Sequence, residues 1–170
     1  MKYLEELSIV PPEMIVYIDE CGIEQDLQRD HGRAPIRERV DALRRGRKFR
    51  RTNVVAGLNM KNVLASFSYT EKTTSRLFED WFLRPLLPKM MKFSTVVLDN
   101  ASFHRKPVLR FLAAVAKIRI IFLPPYSPDL NPIEKKWANL KQWLRDNVSR
   151  FKFLEDAIYE YLEHWCSFVK

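Results

Sequence analysis

The sequence predicts an α/β domain, a mixed sheet covered by helices. Two observations carry this. Apolar runs at 52–58 and 63–69 are separated only by the polar turn 59–62, so early strands form a hairpin. Later short apolar runs alternate with segments of helical period. At 170 residues and 46% apolar content, a single domain is expected. A chain of this size buries roughly 70% of its unfolded surface without disulfides or a structural metal.

The elements follow in order. Residues 14–18 (MIVYI) read as a buried strand ending at Asp19. Residues 20–51 are polar, Arg-rich and punctuated by Gly22, Gly32, Pro35 and Gly46, which predicts mostly irregular structure. TNVVAGL (52–58) and VLASFSY (63–69) are strands joined by NMKN. Thr73, Thr74 or Ser75 caps a helix with the stripe Leu77, Phe78, Trp81 and Phe82, which Pro85 and Pro88 end or distort. STVVL (94–98) is a strand ending at Asp99. A helix over about 103–116 turns Val108, Leu109, Phe111, Leu112 and Val115 inward, and IRIIFL (118–123) is another buried strand. A proline-rich loop leads into a helix from Pro132 to about Val148. A last helix, about 151–168, lays Leu154, Ala157, Ile158, Tyr161, Leu162 and Trp165 on one face.

Composition narrows the function classes. The formal charge is +8 and the pI about 9.6. Arg29, Arg33, Arg37, Arg39, Arg44, Arg45, Arg47, Lys48, Arg50 and Arg51 face only Asp30, Glu38 and Asp41 in the same stretch. A soluble basic protein is one reading; a nucleic-acid partner is the sharper one, since guanidinium forks match phosphate oxygens. Cys21 and Cys166 form no CxxC pair, which argues against zinc and for a reducing, cytoplasmic setting. The start, MKYLEELSIV, lacks the apolar stretch of a signal peptide, and no run reaches a membrane span.

Asp19 and Asp99 each follow an apolar strand. On parallel neighbours such acids share one sheet edge, and a divalent cation relieves their repulsion. Each also reads as a loop start or helix cap. Glu134 has its own structural alternative: Asn131, Pro132, Ile133 and Glu134 fit a capping box. Yet Glu134, Ala138, Lys141 and Arg145 share a helix face opposite Ile133, Trp137, Leu140 and Leu144. An acid followed by two bases suits a metal with phosphate running past it. Two Asp and one Glu fit Mg²⁺, or Mn²⁺ as substitute, in a two-ion site for phosphodiester chemistry. Asn100 and His104, in DNASFH, are candidates to orient a phosphate or a water; both also read as surface polar groups.

YIDECG (17–22), LDNASFHR (98–105) and LPPYSPDLNPIEKKWANLK (123–141) closely resemble the DDE catalytic domain of mariner-superfamily transposases, nearest the bacterial insertion-sequence branch. The 34 residues 100–133 between Asp99 and Glu134 match that superfamily's spacing. The resemblance implies an RNase H-like fold, with Asp19, Asp99 and Glu134 as the metal-binding triad. It implies cleavage at transposon ends and strand transfer into TA target sites. Arg33, Arg44, Arg45, Arg47, Lys48, Arg50 and Arg51 would then track DNA, with Asn100, His104, Lys141 and Arg145 nearer the site. Expected partners are double-stranded DNA, a second copy in a homodimer, and a separate helix-turn-helix chain; the expected location is the nucleoid. Cys21 stands where many relatives have a small hydroxyl residue. Only residues 1–13 precede the first strand, fewer than a three-helix DNA reader needs, so the helix-turn-helix region is expected to be absent. Two alternatives stand beside this reading: a non-catalytic DNA-binding or regulatory remnant of such a transposase, and another RNase H-like nuclease acting on RNA–DNA hybrids or junctions.

Overall fold

The structure, a computed structural model, describes residues 2–24, 51–60, 62–124, 127 and 130–167. Its elements are α1 (Lys2–Ser8), β1 (Ile15–Glu24), β2 (Arg51–Asn59), β3 (Asn62–Tyr69), α2 (Ser75–Trp81), β4 (Thr95–Leu98), α3 (Lys106–Val115), β5 (Arg119–Phe122), α4 (Ile133–Asn147) and α5 (Leu154–Ser167). The strands form one sheet in the order β3-β2-β1-β4-β5. β1, β2 and β3 pair antiparallel; β4 pairs parallel with both β1 and β5. This is the expected mixed sheet.

Alternation along the strands sorts side chains onto two faces. Val16, Ile18, Val55, Val96 and Leu98 meet Phe78, Trp81, Phe82 and Leu86 of the α2 segment and Leu109 and Ala113 of α3. The opposite face carries Cys21, Ile23, Val54, Ala56 and Leu58, which meet Ile133, Trp137, Leu140 and Leu144 of α4 and Leu154, Ala157, Ile158 and Leu162 of α5. A smaller cluster on that side joins Tyr3 of α1 to Ile15, Val97, Ile121 and Leu123. Every residue of β4 is buried, as a central parallel strand with both faces covered requires.

Local chemistry sets the boundaries. At the β2–β3 turn Met60 takes a φ of 50°. Thr74 caps α2 by accepting from the Leu77 amide at 3.2 Å. Pro85 brings no N–H, and the helix continues past it as a wider turn over Phe82–Leu86 and then a tight one over Leu87–Lys89. At Gly57 the backbone lies close under the α2 segment, and an added Cβ would stand 2.8 Å from Cδ1 of Leu86.

Three expectations need correction. β1 does not end at Asp19. Its parallel pairing with β4 runs over Ile15–Tyr17, but its antiparallel pairing with β2 continues to Glu24 and keeps the strand extended. In α3 Leu109 and Ala113 are buried and Leu112 packs partly against the same core, as expected of both leucines, but Phe111 and Val115 are 68% and 71% exposed. The expected stripe was wider than one face of a single helix. The start of the chain, assigned no element from the sequence, forms α1. Residues 25–50, which hold Arg33, Arg44, Arg45, Arg47, Lys48 and Arg50, lie outside the described residues. No helix among the described residues is long and apolar enough to cross a membrane.

Candidate active site

The site forms where parallel pairing between β1 and β4 stops. The register sets Ile15 beside Thr95, Val16 beside Val96 and Tyr17 beside Val97. Continued by two residues, the same offset brings Asp99 alongside Asp19. Asp99 follows the last residue of β4, while Asp19 sits mid-strand on the face covered by α4.

Each carboxylate has its own holder. The buried indole of Trp137 donates from Nε1 to Oδ2 of Asp19 at 2.9 Å. Asp99 Oδ1 accepts from the Ala101 amide at 3.2 Å and lies 3.2 Å from His104 Nδ1. His104 is 8% exposed, with its ring centroid 4.3 Å from that of Phe78 and 4.4 Å from that of Phe103. Its Nε2 is buried and has no partner among the described residues.

The two aspartates differ in acidity. Burial pushes Asp19 up to about 7, and the charges of Glu134 and Asp99 push in the same direction. The Glu20 amide and the Trp137 indole oppose this without cancelling it. Burial also works to raise Asp99, but hydrogen bonds from His104 and Ala101, and the His104 charge, outweigh it and leave Asp99 below the usual range. One acid is therefore reluctant to ionise and its neighbour is readily ionised.

Glu134 lies in the first turn of α4 and is exposed. The expected capping box is half formed: the Asn131 side chain accepts from the first amide of α4, but among the described residues the Glu134 carboxylate makes no bond back to the Asn131 amide. Asn131 Oδ1 stands 3.4 Å from the Ile133 amide, and the Glu134 amide donates to the Asn131 carbonyl at 3.1 Å. The Glu134 carboxylate is near enough for its charge to bear on Asp19.

The remaining expected residues disperse. Asn100 donates to the Leu123 carbonyl at 2.5 Å and so ties the ends of β4 and β5 together. Lys141 is half-buried beside Cys21; burial raises that thiol, and the ammonium pulls it back. Arg145 is exposed and donates to Gln142 Oε1 at 3.3 Å. Arg51 opens β2.

Sequence reasoning missed two contributors. It read Trp137 only as core, although a buried indole N–H seeks an acceptor and Asp19 is the acid within reach. It also passed over Glu20, whose Oε1 accepts from Thr73 Oγ1 at 2.6 Å, with Tyr69 Oη 3.0 Å from the same hydroxyl. A cavity of about 200 Å³ is lined by Asp19, Glu20, Asp99, His104, Phe78 and Phe103 together with Ile18 and Ala101.

The donor chemistry fits a hard divalent cation: Asp19, Asp99 and Glu134 offer only carboxylate oxygens. As placed, no three His, Cys, Asp or Glu side chains among the described residues form a closed metal-holding group. The two aspartates are each kept by a different neighbour, and the charge of Glu134 bears on Asp19 from the exposed first turn of α4.

Comparison with known proteins agrees with this architecture. The structure of the Mos1 transposase paired-end complex with left transposon end superposes with a TM-score of 0.73 at 17% identity, covering 98% of this chain and 52% of that one. The catalytic domain of Mos1 mariner transposase gives 0.66 at 17% identity, covering 98% of this chain and 76% of that one. The shared fold is the RNase H-like mixed sheet. An uncharacterized protein of Sinorhizobium fredii, y4pE/y4sA, is 32% identical over 77 residues, 45% of this chain and 53% of that protein. The chain thus spans about half the length of that relative and of the transposase in the paired-end complex. The sequence matches the DDE superfamily endonucleases over residues 14–158, nearly all of the described fold, and the chain belongs to that family.

Proposed function

We propose that this chain is the catalytic part of a DNA transposase of the mariner superfamily, in its insertion-sequence branch. It cleaves phosphodiester bonds at transposon ends and transfers the strand into TA target sites. The carrying observation is the β1–β4 register, which brings Asp19 and Asp99 side by side, with the charge of Glu134 bearing on Asp19 from α4.

Asp19, Asp99 and Glu134 would hold two Mg²⁺ ions, with Mn²⁺ as substitute. Bound there, the ions lower the pKa of the attacking water or 3′-hydroxyl and neutralise charge on the phosphate being transferred. The chain's other residues serve that centre. Trp137 fixes the rotamer of Asp19, and His104 fixes that of Asp99. Lys141, half-buried beside Cys21, and Arg145, exposed one turn further along α4, attract the phosphate backbone, as do Arg51 and the Arg-rich segment before it. Double-stranded DNA, a second copy of the chain and a helix-turn-helix region complete the assembly in this reading.

The test is Asp99→Asn, assayed with Mg²⁺ on DNA carrying the element ends. Cleavage is expected to disappear while DNA binding and thermal stability remain near wild type. Cleavage at the wild-type rate would remove Asp99, and with it the triad, from the mechanism.

A further inference from the structure

A second cavity, of about 440 Å³, adjoins the carboxylate cavity. It is lined by Arg51, Asn53, Thr70, Glu71, Lys72 and Thr73, and it shares Glu20 and Phe103 with its neighbour. The two form one cleft that runs from Asp19 and Asp99, past the Phe103 ring, to two cations.

Arg51 is held in place there. Its guanidinium lies over Gly22, with Nε and Nη2 2.0 Å from where a Cβ would stand. Nε donates to Asn53 Oδ1 at 3.1 Å, and Asn53 Nδ2 donates to the Glu71 carbonyl at 3.0 Å. This chain of contacts fixes one edge of a guanidinium that is usually mobile at a surface. Lys72 is exposed on the same rim, and neither cation is in an ion pair among the described residues. Phe103 is half-buried, braced by His104 and by Phe78 at 5.8 Å. Two acids also line the cleft. Glu71 is exposed. Glu20 is more deeply set, with Oε1 taken by Thr73 and Oε2 buried without a partner among the described residues.

We infer that this cleft is a subsite for the nucleotide next to the scissile phosphate: Arg51 and Lys72 take its phosphate, and the face of Phe103 takes its base. Aromatic faces bind any base by stacking, and paired cations track the backbone. Glu20 presents neither oxygen to the nucleotide: Oε1 is engaged by Thr73 and Oε2 is buried. The inference rests on the reading of the chain as a DNA-strand enzyme and extends it to Lys72, Phe103, Asn53 and Gly22.

The test is binding, without metal, of a short single-stranded oligodeoxynucleotide, read by fluorescence anisotropy over a salt series. Lys72→Ala should flatten the salt dependence by one phosphate, about 0.7 in the log–log slope. Phe103→Leu, which keeps bulk but removes the π face, should weaken binding at least about fivefold with the slope unchanged. Moving an abasic site along the strand should reveal one position whose loss costs wild type this factor and costs Phe103→Leu nothing. Gly22→Ala, which displaces the guanidinium and keeps its charge, should match Arg51→Ala. If all four variants bind as wild type does, the subsite is overturned. That failure stands apart from failure of the functional reading: Asp99→Asn would still abolish Mg²⁺-dependent cleavage. Retained cleavage in Asp99→Asn would remove the triad and leave a positive binding result intact.

Discussion

Trp137 Nε1 stands 2.9 Å from Asp19 Oδ2, a hydrogen bond across 118 positions that joins α4 to the central strand. Trp137 lies one turn beyond Glu134 in the same helix. The bond therefore sets the height of α4 over β1, and with it the distance from Glu134 to Asp19. A carboxylate oxygen bound in this way is already turned toward one rotamer before any cation arrives.

Trp137→Phe keeps the aromatic bulk and removes the donor. The loss should cost about 1.5–3 kcal/mol where Asp19 is ionised. Metal-dependent cleavage should fall roughly tenfold or more. Urea denaturation and single-turnover cleavage measure the two effects; wild-type cleavage in this variant would reduce Trp137 to packing.

The metal-free protein should lose stability as pH rises from 3.8 to about 7. Asp19 holds its proton to about 7 when folded and to 3.8 when unfolded, so across that window the native state binds more protons. The loss is of order a few kcal/mol at most. Asp99 acts oppositely: its depressed value adds stability above the ordinary carboxylate range that disappears on acidification. Denaturation in chelator across pH, for wild type and Asp19→Asn, checks this. A flat Asp19→Asn profile over the upper part of the window is expected; an unchanged slope would refute the assignment.

His104→Gln should weaken the apparent affinity for Mg²⁺ by roughly tenfold, with a smaller change in rate at saturating metal. Asp99 would lose its ring partner, and the Phe78–Phe103 packing would lose its middle ring. A metal titration of cleavage separates the two terms. A fall in rate at saturation with unchanged metal dependence would instead place His104 against the substrate.

Gly57→Ala should destabilise the fold by about 1–3 kcal/mol. The new methyl meets Leu86 Cδ1 at 2.8 Å and Val16 Cγ1 at 3.4 Å inside a core where Leu86 is fully buried. Thermal denaturation reads this directly. Adding Leu86→Ala should recover part of the loss by opening room for the methyl.

Much of this was legible in one dimension. Period-two and period-3.6 patterns placed β2, β3, α2 and α4 within a residue or two, because burial of one face imposes those periods. The stripe Ile133, Trp137, Leu140 and Leu144 is buried as expected, and Glu134, Ala138 and Arg145 are exposed opposite it, with Lys141 partly covered. The acids at Asp19, Asp99 and Glu134 stood out because ionisable groups beside apolar runs need a reason. β1 was cut short because its continuation depends on pairing with β2, a contact between residues up to 43 positions apart.

By itself the sequence determined the class of fold, the helix and strand faces and the short list of acids, since these follow from local periodicity and residue chemistry. Only the tertiary structure decided which groups meet. Strand register set Asp99 beside Asp19, helix docking gave Trp137 to Asp19, and packing against Phe78 of α2 set the His104 ring against Asp99. Sheet pairing laid Arg51 across Gly22. Each is a long-range or cross-element distance fixed by packing, and the opposite acidities of the two aspartates follow from those distances rather than from the residues' identities.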